Sequence, residues 1–522
     1  MEICCLLLIL FGFSSAEDYY YTSIGQMTQL LYTEKDLLAL LDKYIDAEQK
    51  KLDQMKRLAQ KLANLSTFTV EDPKIVLGHP LNSFVFLKRL NRTWSELENL
   101  LFTDVSEEFV YNLRVRMKNF PDEVDQTGVA EALLRLQDTY KLDTDTLAKG
   151  DLPGTSRLLS TLTAEDCFFL SMVAYETLDF YHTVLWLSQA LRQLEQGETP
   201  GTVNAVTILD YLSYSLYKQG DLERASEFTK QLLKIEPQNQ RALDNLKYFD
   251  FHLEKQKTGQ ETPEPLKTGR ATSNPVYERL CRGESLELTP RRQSRLFCRY
   301  HDNHGHPSLL IGPVKEEELW DQPRIVRYYD VANNDDTEII KKLAKPRLMR
   351  SKVRDEKTNK ILAIPSRISQ NAWLGDFEYT VVDKLAKRMG DITGLDTSTA
   401  EMMQVANYGV GGQYEPHIDF VEDHVPEPYK ELGTGNRIAT WLLYISDVPA
   451  GGATVFPRAG AVAWPIKGSA VFWYNLQLNG KGDYLTQHAA CPVLVGSKWV
   501  ANTWLHERGQ EFRRRCGLQS SI

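Results

Sequence analysis

The spacing of apolar residues divides this chain into segments of different kinds before any chemistry is considered. From about Met27 to Leu62, the apolar positions Leu31, Leu38, Leu41, Ile45, Leu52, Met55, Ala59 and Leu62 fall near heptad a and d places, with Lys50, Lys51, Asp53 and Lys56 on other faces. An apolar seam of that period on a charged helix predicts a self-associating coiled coil rather than an amphipathic helix folded onto its own domain. Further helices are expected from Asn91 to Lys141, with Pro121 and Gly128 as breaks.

Between Thr163 and Phe249 the pattern repeats. Tyr175, Asp179, Trp186 and Gln189 recur at a common offset as Tyr217, Asp221, Phe228 and Gln231, and the second copy adds Gly220, Ala225 and Pro237. These positions resemble parts of a tetratricopeptide unit, a helix pair whose stacking leaves a concave face. Tyrosines are frequent here: Tyr175, Tyr181, Tyr211, Tyr214, Tyr217 and Tyr248. Aromatics at helical spacing most often fill a core. A groove lined by several of them would instead suit an extended proline-rich peptide, whose polyproline II helix is ordered before it docks.

Residues Glu254 to Asn274 are polar and carry Gly259, Pro263, Pro265 and Gly269, which reads as a linker. From Pro323 onwards the period shortens. Helices are expected at Asp335 to Leu343 and Tyr379 to Met389, and strands at Arg437 to Ile445, Ser469 to Tyr474 and Lys498 to Leu505, separated by Gly, Pro and Asn turns. Short strands at this spacing imply a β-sandwich or barrel. The chain is therefore multidomain α + β, divided into 1–16, 17–145, 146–252, 253–322 and 323–522.

A length of 522 residues exceeds a single core, and 42% hydrophobic with 25% charged residues is ordinary for a globular chain. A formal charge of -9 offers no general attraction to nucleic acid. Cys4 to Phe13 is an apolar run too short to span a bilayer, and Ser14, Ser15 and Ala16 follow it as a signal-peptidase site would require. No later stretch is long and apolar enough to cross a membrane. Secretory entry makes Asn64 and Asn91, in Asn64-Leu65-Ser66 and Asn91-Arg92-Thr93, glycosylation candidates. It also permits disulfides among Cys167, Cys281, Cys298, Cys491 and Cys516. Any chosen four allow three connectivities. Local pairing is simplest: Cys281 with Cys298 and Cys491 with Cys516, leaving Cys167 as a buried thiol in a helix.

The chemistry gathers between Asn407 and Phe420. His417 and Asp419 are two apart, so in an extended strand both leave one face and can meet one ion. His488, in a later strand-like run, is the best third ligand. Two imidazoles and a carboxylate on one side of a metal leave other positions open, as in oxygen-activating ferrous sites. An isolated His-x-Asp is weak by itself, and most such pairs are surface residues. Gly409, Gly411 and Gly412 do not complete a dinucleotide loop and read as turn residues. Lys498, Asn502, Trp504 and His506 share parity along one strand. A lysine facing into a barrel asks for an anion, because an unpaired buried ammonium is costly; a solvent-exposed strand end is the alternative.

Taken together, Gln404 to Phe420, Leu432 to Thr440, Gly451 to Pro457, Ala470 to Leu476 and His488 to His506, with the tyrosine-rich repeat, make the chain similar to the alpha subunits of collagen prolyl 4-hydroxylase. That resemblance implies a C-terminal double-stranded β-helix (jelly-roll) dioxygenase domain, a peptide-binding helical domain and an N-terminal dimerisation domain. It implies hydroxylation of Y-position proline in X-Pro-Gly repeats of procollagen, with Fe(II), 2-oxoglutarate, O2 and L-ascorbate. Carried over by residue, His417, Asp419 and His488 would hold iron, and Lys498 the far carboxylate of 2-oxoglutarate with Tyr408 and Thr454 helping. His506 would assist binding and decarboxylation, and Tyr414, Arg437 and Trp504 would contact the peptide. Protein disulfide isomerase is the implied partner, in an α2β2 tetramer in the endoplasmic reticulum lumen. The chain departs from the family pattern at Ile418, Gln487 and Thr503, none of them a ligand. A procollagen-docking scaffold without turnover is the competing reading, and the intact ligand set argues against it.

Overall fold

The computed structural model describes residues 24–153, 161–199, 201–259, 274–284, 288–354, 361–362, 366–422, 429 and 432–518. The expected signal segment and residues 260–273 of the expected linker lie outside the described residues. The chain forms two compact units, Gly25–Asp122 and a larger one from Glu123 onwards.

The smaller unit is built of helices α1 (Ile24–Glu71), α2 (Pro73–Gly78), α3 (Pro80–Phe102) and α4 (Glu107–Met117). Lys51 Nζ donates to the carbonyls of Leu101 and Thr103 at 3.3 and 2.6 Å, and Tyr44 stacks on Phe109 at 5.6 Å, so α1 runs alongside the later helices. Leu37 is buried, whereas Leu31, Leu38, Ile45 and Leu52 of the heptad seam are exposed. Leu41, Met55 and Leu62 of the seam are partly buried, so the unit covers only part of it. Asn64 and Asn91 are exposed on α1 and α3. Pro121 lies in the break before the next helix, but Gly128 is buried inside it.

The larger unit opens with α5 (Glu123–Tyr140) and α6 (Thr144–Lys149), followed by the helical repeat: α7 (Ala164–Glu176), α8 (Phe180–Glu195), α9 (Ala205–Gln219), α10 (Leu222–Ile235) and α11 (Gln240–Lys257). The two aspartates of the repeat motif do the same job. Asp179 and Asp221 are the N-caps of α8 and α10, accepting from the backbone N–H of His182 and Arg224. Gly220 closes α9 at φ 92°, a conformation other residues rarely adopt. Trp186 and Cys167 are buried in this core, and burial pushes the free Cys167 thiol up to about 12. Helix α11 continues through the first residues of the expected linker.

After α12 (Pro275–Cys281) and α13 (Pro290–Gln293), strands take over: β1 (Cys298–His301), β2 (Val314–Trp320) and β3 (Ile325–Tyr328). Then come α14 (Asn334–Ala344), β4 (Met349–Arg350), β5 (Val353–Arg354), β6 (Ile361–Leu362), β7 (Gln370–Leu374), α15 (Thr380–Thr393), β8 (Met403–Tyr408) and β9 (Tyr414–His417). The chain closes with β10 (Arg437–Tyr444), β11 (Ala450–Gly451), β12 (Thr454–Phe456), β13 (Ala461–Ala463), β14 (Ala470–Tyr474), β15 (His488–Ala490), β16 (Val493–Val495) and β17 (Lys498–His506). A nine-stranded sheet runs β1-β2-β3-β14-β10-β17-β8-β7-β4, and a four-stranded sheet runs β13-β12-β15-β9. Their inner faces share a core in which Tyr408, Leu442 and Tyr444 meet Phe456 and Ala490. On its outer face the large sheet presents Trp441, Leu443 and Ala501 to Val382, Leu385 and Met389 of α15. This alternation is the period-two pattern of a sheet covered on both sides. No helix of the described residues is long and apolar enough to cross a membrane.

Strands β1 and β2 arise from residues expected to be connector. Three consecutive glutamates, Glu316 to Glu318, hide β2 in the sequence. Glu316 is buried because Arg299 and Arg324 each bring a guanidinium nitrogen to 2.7 Å.

The expected disulfides are not those that form. Cys281, at the end of α12, is bonded to Cys491, just past β15, with a Cα–Cα separation of 5.5 Å. Both lie in a buried cluster with Ala453, Val455 and Ala489, whereas Cys298 and Cys516 are free and exposed. The fold brings distant segments together, and closeness in sequence misled. Cys167 is free and buried, as expected.

Helix α5 links the repeat to the sheets. On one side Gln137 accepts from the Trp186 indole N–H at 2.9 Å; on the other Arg135 Nε donates to the carbonyl of Gly411 at 3.2 Å and Tyr140 donates to that of Pro492 at 2.5 Å. Gly411 has φ 70°, and a Cβ there would lie 2.6 Å from that of Ala132.

Candidate metal centre and cosubstrate pocket

The Gly409–Gly412 turn delivers the chain into β9, whose last residue is His417. His488 opens β15 and is the direct cross-strand partner of His417. Asp419 lies just past the end of β9 in a bend, so the strand parity that suggested the pair holds only for His417. Ligand atoms of the three side chains nevertheless lie within 4.8 Å of one another. Asp419 Oδ1 is 3.8 Å from His417 Nε2, and Oδ2 is 3.5 Å from His488 Nε2.

Each imidazole is oriented by its other nitrogen. His417 Nδ1 lies 2.8 Å from the carbonyl of Glu415 and His488 Nδ1 lies 3.0 Å from that of Thr486. A backbone acceptor at Nδ1 fixes the proton there and turns a lone pair on Nε2 towards Asp419. Burial, helped by the neighbouring His488, pushes the His417 imidazole well below its usual range, so it stays neutral. Burial opposes ionisation of Asp419, but the two histidines, Arg437 and a hydrogen bond from Thr440 outweigh it and keep the carboxyl low. A neutral His417 imidazole and an ionised Asp419 carboxylate are the protonation states a divalent cation needs. The donor set fits iron.

The neighbouring cavity wall is formed by Arg367, Tyr408, Tyr414, Thr454, Lys498 and Trp504. Lys498 is only 1% exposed, and burial pushes its ammonium down to about 7. Among the described residues its hydrogen-bond partner is Thr454 Oγ1 at 3.4 Å, and the rings of Tyr408 and Tyr444 flank it at 5.4 and 5.7 Å. Among the described residues no carboxylate compensates it, so the pocket suits an anionic ligand next to the metal ligands.

Of the remaining expected residues, Tyr414 stacks on His417 at 3.6 Å. Trp504 lines the cavity, and its indole N–H has no hydrogen-bond partner among the described residues. Arg437 and His506 are not in the cavity wall. Arg437 lies over the Trp504 ring at 4.1 Å and is paired with Glu401 at 2.5 and 2.9 Å. Glu401 also lies 3.1 Å from His506 Nε2, while His506 Nδ1 is 2.7 Å from the carbonyl of Gly435. His506 follows an irregularity in the ladder, where Arg437 faces it but Ala439 faces Leu505. The sequence reading missed Glu401 and Arg367. Arg367 is buried, donates to Gln404 at 2.8 Å and covers the Tyr414 ring at 4.7 Å. Neither sits in a recognisable motif, and only strand pairing brings them here.

In the helical repeat, Tyr175 lies 5.1 Å from Tyr211 and 6.1 Å from Tyr214, Tyr214 lies 6.2 Å from Tyr217, and Tyr217 lies 5.6 Å from Tyr248. These partly exposed rings form a continuous string along α7, α9 and α11. Tyr181 stands apart on α8, against His182.

Comparison with known proteins finds three family matches along the chain. Residues 23–154 match a family model described as the prolyl 4-hydroxylase alpha-subunit N-terminal region, 164–255 the prolyl 4-hydroxylase peptide-substrate-binding domain, and 403–506 the 2OG-Fe(II) oxygenase superfamily. Prolyl 4-hydroxylase subunit alpha-1 of Homo sapiens is 54% identical over 98% of both chains. Subunit alpha-2 of Caenorhabditis elegans is 39% identical over 100% of this chain and 97% of its own. A solved viral collagen prolyl hydroxylase from Paramecium Bursaria Chlorella virus-1 is 24% identical, covering 34% of this chain and 94% of that one with a TM-score of 0.29. Since likeness to the curated relatives runs through helices, repeat and sheets alike, the chain belongs to the prolyl 4-hydroxylase alpha-subunit family, whose oxygenase domain depends on iron and 2-oxoglutarate.

Proposed function

We propose that this chain is the catalytic subunit that converts Y-position proline of X-Pro-Gly procollagen repeats to 4-hydroxyproline in the endoplasmic reticulum lumen. The observation that carries this reading is the convergence of two imidazole Nε2 atoms and one carboxylate beside a fully buried lysine. When bound, ferrous iron with 2-oxoglutarate and O2 supplies the oxidative decarboxylation to succinate and the hydroxylation at proline C4, and L-ascorbate keeps the iron reduced.

The chain's own residues bind, orient and shield. His417, Asp419 and His488 hold the metal, and Lys498 pairs with the far carboxylate of 2-oxoglutarate, with Thr454 and Tyr408 beside it. Tyr414 and Trp504 of the cavity wall, with Arg437 stacked over the Trp504 ring, are the contacts expected for the peptide. His506 acts through its pairing with Glu401, which also fixes Arg437. The tyrosine string supports docking of an extended proline-rich segment.

The exposed seam residues Leu31, Leu38, Ile45 and Leu52 support self-association of the helices within 17–145, and the family supports an α2β2 tetramer with protein disulfide isomerase. The other boundaries follow as 146–252 for peptide binding, 253–322 as connector and 323–522 for catalysis. Exposure of Asn64 and Asn91 supports their glycosylation. The decisive assay supplies the purified complex with Fe(II), 2-oxoglutarate and a Pro-Pro-Gly peptide. Succinate release coupled to 4-hydroxyproline is expected; peptide binding without succinate, or hydroxylysine as product from lysine-containing peptides, would overturn the reading.

A further inference from the structure

Behind Asp419 lies a pair of hydrogen-bonded polar side chains. Thr440, on β10, and Asn475, just past the end of β14, are both buried, Asn475 completely. Thr440 Oγ1 donates to Asp419 Oδ2 at 2.7 Å. Asn475 Nδ2 donates to Thr440 Oγ1 at 2.9 Å, while its Oδ1 lies 3.2 Å from the same oxygen.

A threonine hydroxyl has one proton to give. With the Asn475 amide donating into its lone pair, and the carboxylate the nearer and charged acceptor, that proton goes to Asp419. The three groups form a directed chain, Asn475 to Thr440 to Asp419. The far end is anchored by backbone: Asn475 N donates to the carbonyl of Ile438 and its own carbonyl accepts from Asp483 N, each at 2.8 Å. The adjoining loop also backs the metal-bearing bend, since Phe420 packs so tightly over Gly482 that any Cβ there would overlap its ring.

The consequence falls on the carboxylate. Oδ2 is tied to Thr440, whereas Oδ1 takes no hydrogen bond among the described residues and lies 3.8 Å from His417 Nε2. Asp419 stands past the end of its strand, so cross-strand pairing does not orient it as it does His417 and His488.

We propose that Thr440 and Asn475 are positioning residues for the metal: they hold the Asp419 carboxylate by one oxygen and present the other to the ion. This rests on the assignment of His417, Asp419 and His488 as the metal ligands. Outer partners of metal ligands are typically worth roughly ten- to a hundredfold in metal affinity.

The test uses the full-length chain in its purified complex, stripped of metal and free of 2-oxoglutarate, titrated anaerobically with Fe(II) by equilibrium dialysis. Co(II) bound to each variant is followed by its visible absorption, which reports ligand geometry. Thr440→Val, which keeps shape and removes the hydroxyl, is expected to weaken Fe(II) binding tenfold or more and to alter the Co(II) spectrum. Thr440→Ser restores the donor and is expected to bind within threefold of the parent. Asn475→Leu is expected to lose several-fold, because the hydroxyl is no longer directed. A melting point lowered in Thr440→Val with Fe(II) affinity within twofold of the parent would show a merely structural role and overturn the inference. If the valine variant is insoluble, Asn475→Leu decides by the same twofold criterion. Failure of the parent itself to retain Fe(II) would sink the ligand assignment instead, which separates the two outcomes.

Discussion

Lys498 makes two opposite demands on the protein, and replacing it by methionine separates them. Without a ligand its ammonium is buried with one hydroxyl at 3.4 Å and, among the described residues, no carboxylate. Burial lowers its pKa from 10.5 to about 7. At ~1.36 kcal/mol per unit, that depression corresponds to a destabilisation on the order of 5 kcal/mol. The sign follows from proton counting. Between the folded value near 7 and the unfolded 10.5, the unfolded chain binds the proton that the folded chain has lost, so stability rises with pH across that window. The penalty is full below pH 7 and fades towards 10.5. Lys498→Met keeps an unbranched apolar stem and removes the charge, so the metal-free, ligand-free protein is expected to melt at a higher temperature than the parent at neutral pH.

The cosubstrate reverses the sign. A carboxylate opposite Lys498 needs the charged form, and losing a hydrogen bond between charged partners costs roughly 1.5–3 kcal/mol, about ten- to a hundredfold in affinity. The 2-oxoglutarate requirement of Lys498→Met should rise by that factor. In the parent, affinity should be flat below pH 7 and fall about tenfold per pH unit above it, because binding must then take up a proton. Calorimetric titration at pH 8 in two buffers of different ionisation enthalpy measures that uptake directly. A variant that melts lower and keeps its 2-oxoglutarate requirement would refute the reasoning, placing the lysine's role in the fold alone.

The other predictions concern the ligands and the links between helices and sheets. His417→Ala should abolish turnover and leave proline-rich peptide binding by the tyrosine string largely intact; residual hydroxylation would remove His417 from the ligand set. Non-reducing peptide mapping should recover Cys281 linked to Cys491, with Cys298 and Cys516 alkylated before reduction; a Cys281–Cys298 peptide would restore the local pairing. His182, completely buried, contacts Asp179 at 2.8 Å and Asp138 at 3.1 Å. Burial would lower its pKa, but hydrogen bonds to Asp138 and Asp179 outweigh it and raise it from 6.5 to about 9. This group therefore gives stability on the order of 3 kcal/mol that is full below pH 6.5 and lost as pH rises through 9. Urea titrations at pH 6.5 and 9.5 should show the stability advantage of the parent over His182→Leu shrinking by that amount, the opposite contribution of Lys498 being common to both proteins.

What the sequence made legible followed the regularity of the local structure. The parity of β17 placed Lys498 and Trp504 on one face because an extended strand alternates without exception over that length, and the cavity wall contains both. The repeated aspartates could be read because an N-cap sits at a fixed place before its helix, and Asp179 and Asp221 occupy that place twice. The seam in α1 was visible because a heptad survives whether or not its partner is present.

The misses share a cause of the opposite kind. Glu316 fell within the expected connector because its neutralising partners, Arg299 and Arg324, lie on other segments and only the strand pairing of β1, β2 and β3 brings them to it. Glu401 escaped notice for the same reason, as its meaning depends on Arg437 and His506. Cys281 and Cys491 are 210 residues apart, and nothing in either neighbourhood announces the other. In each case the cost of burying a charge, or the chance of bonding a sulfur, is settled by a neighbour that the chain reaches only after the sheets have paired. A single sequence displays a residue's own preferences, and Asp419 shows the limit: its motif named it as a ligand, but the contact that orients it comes through Thr440 from a residue on a different strand's end.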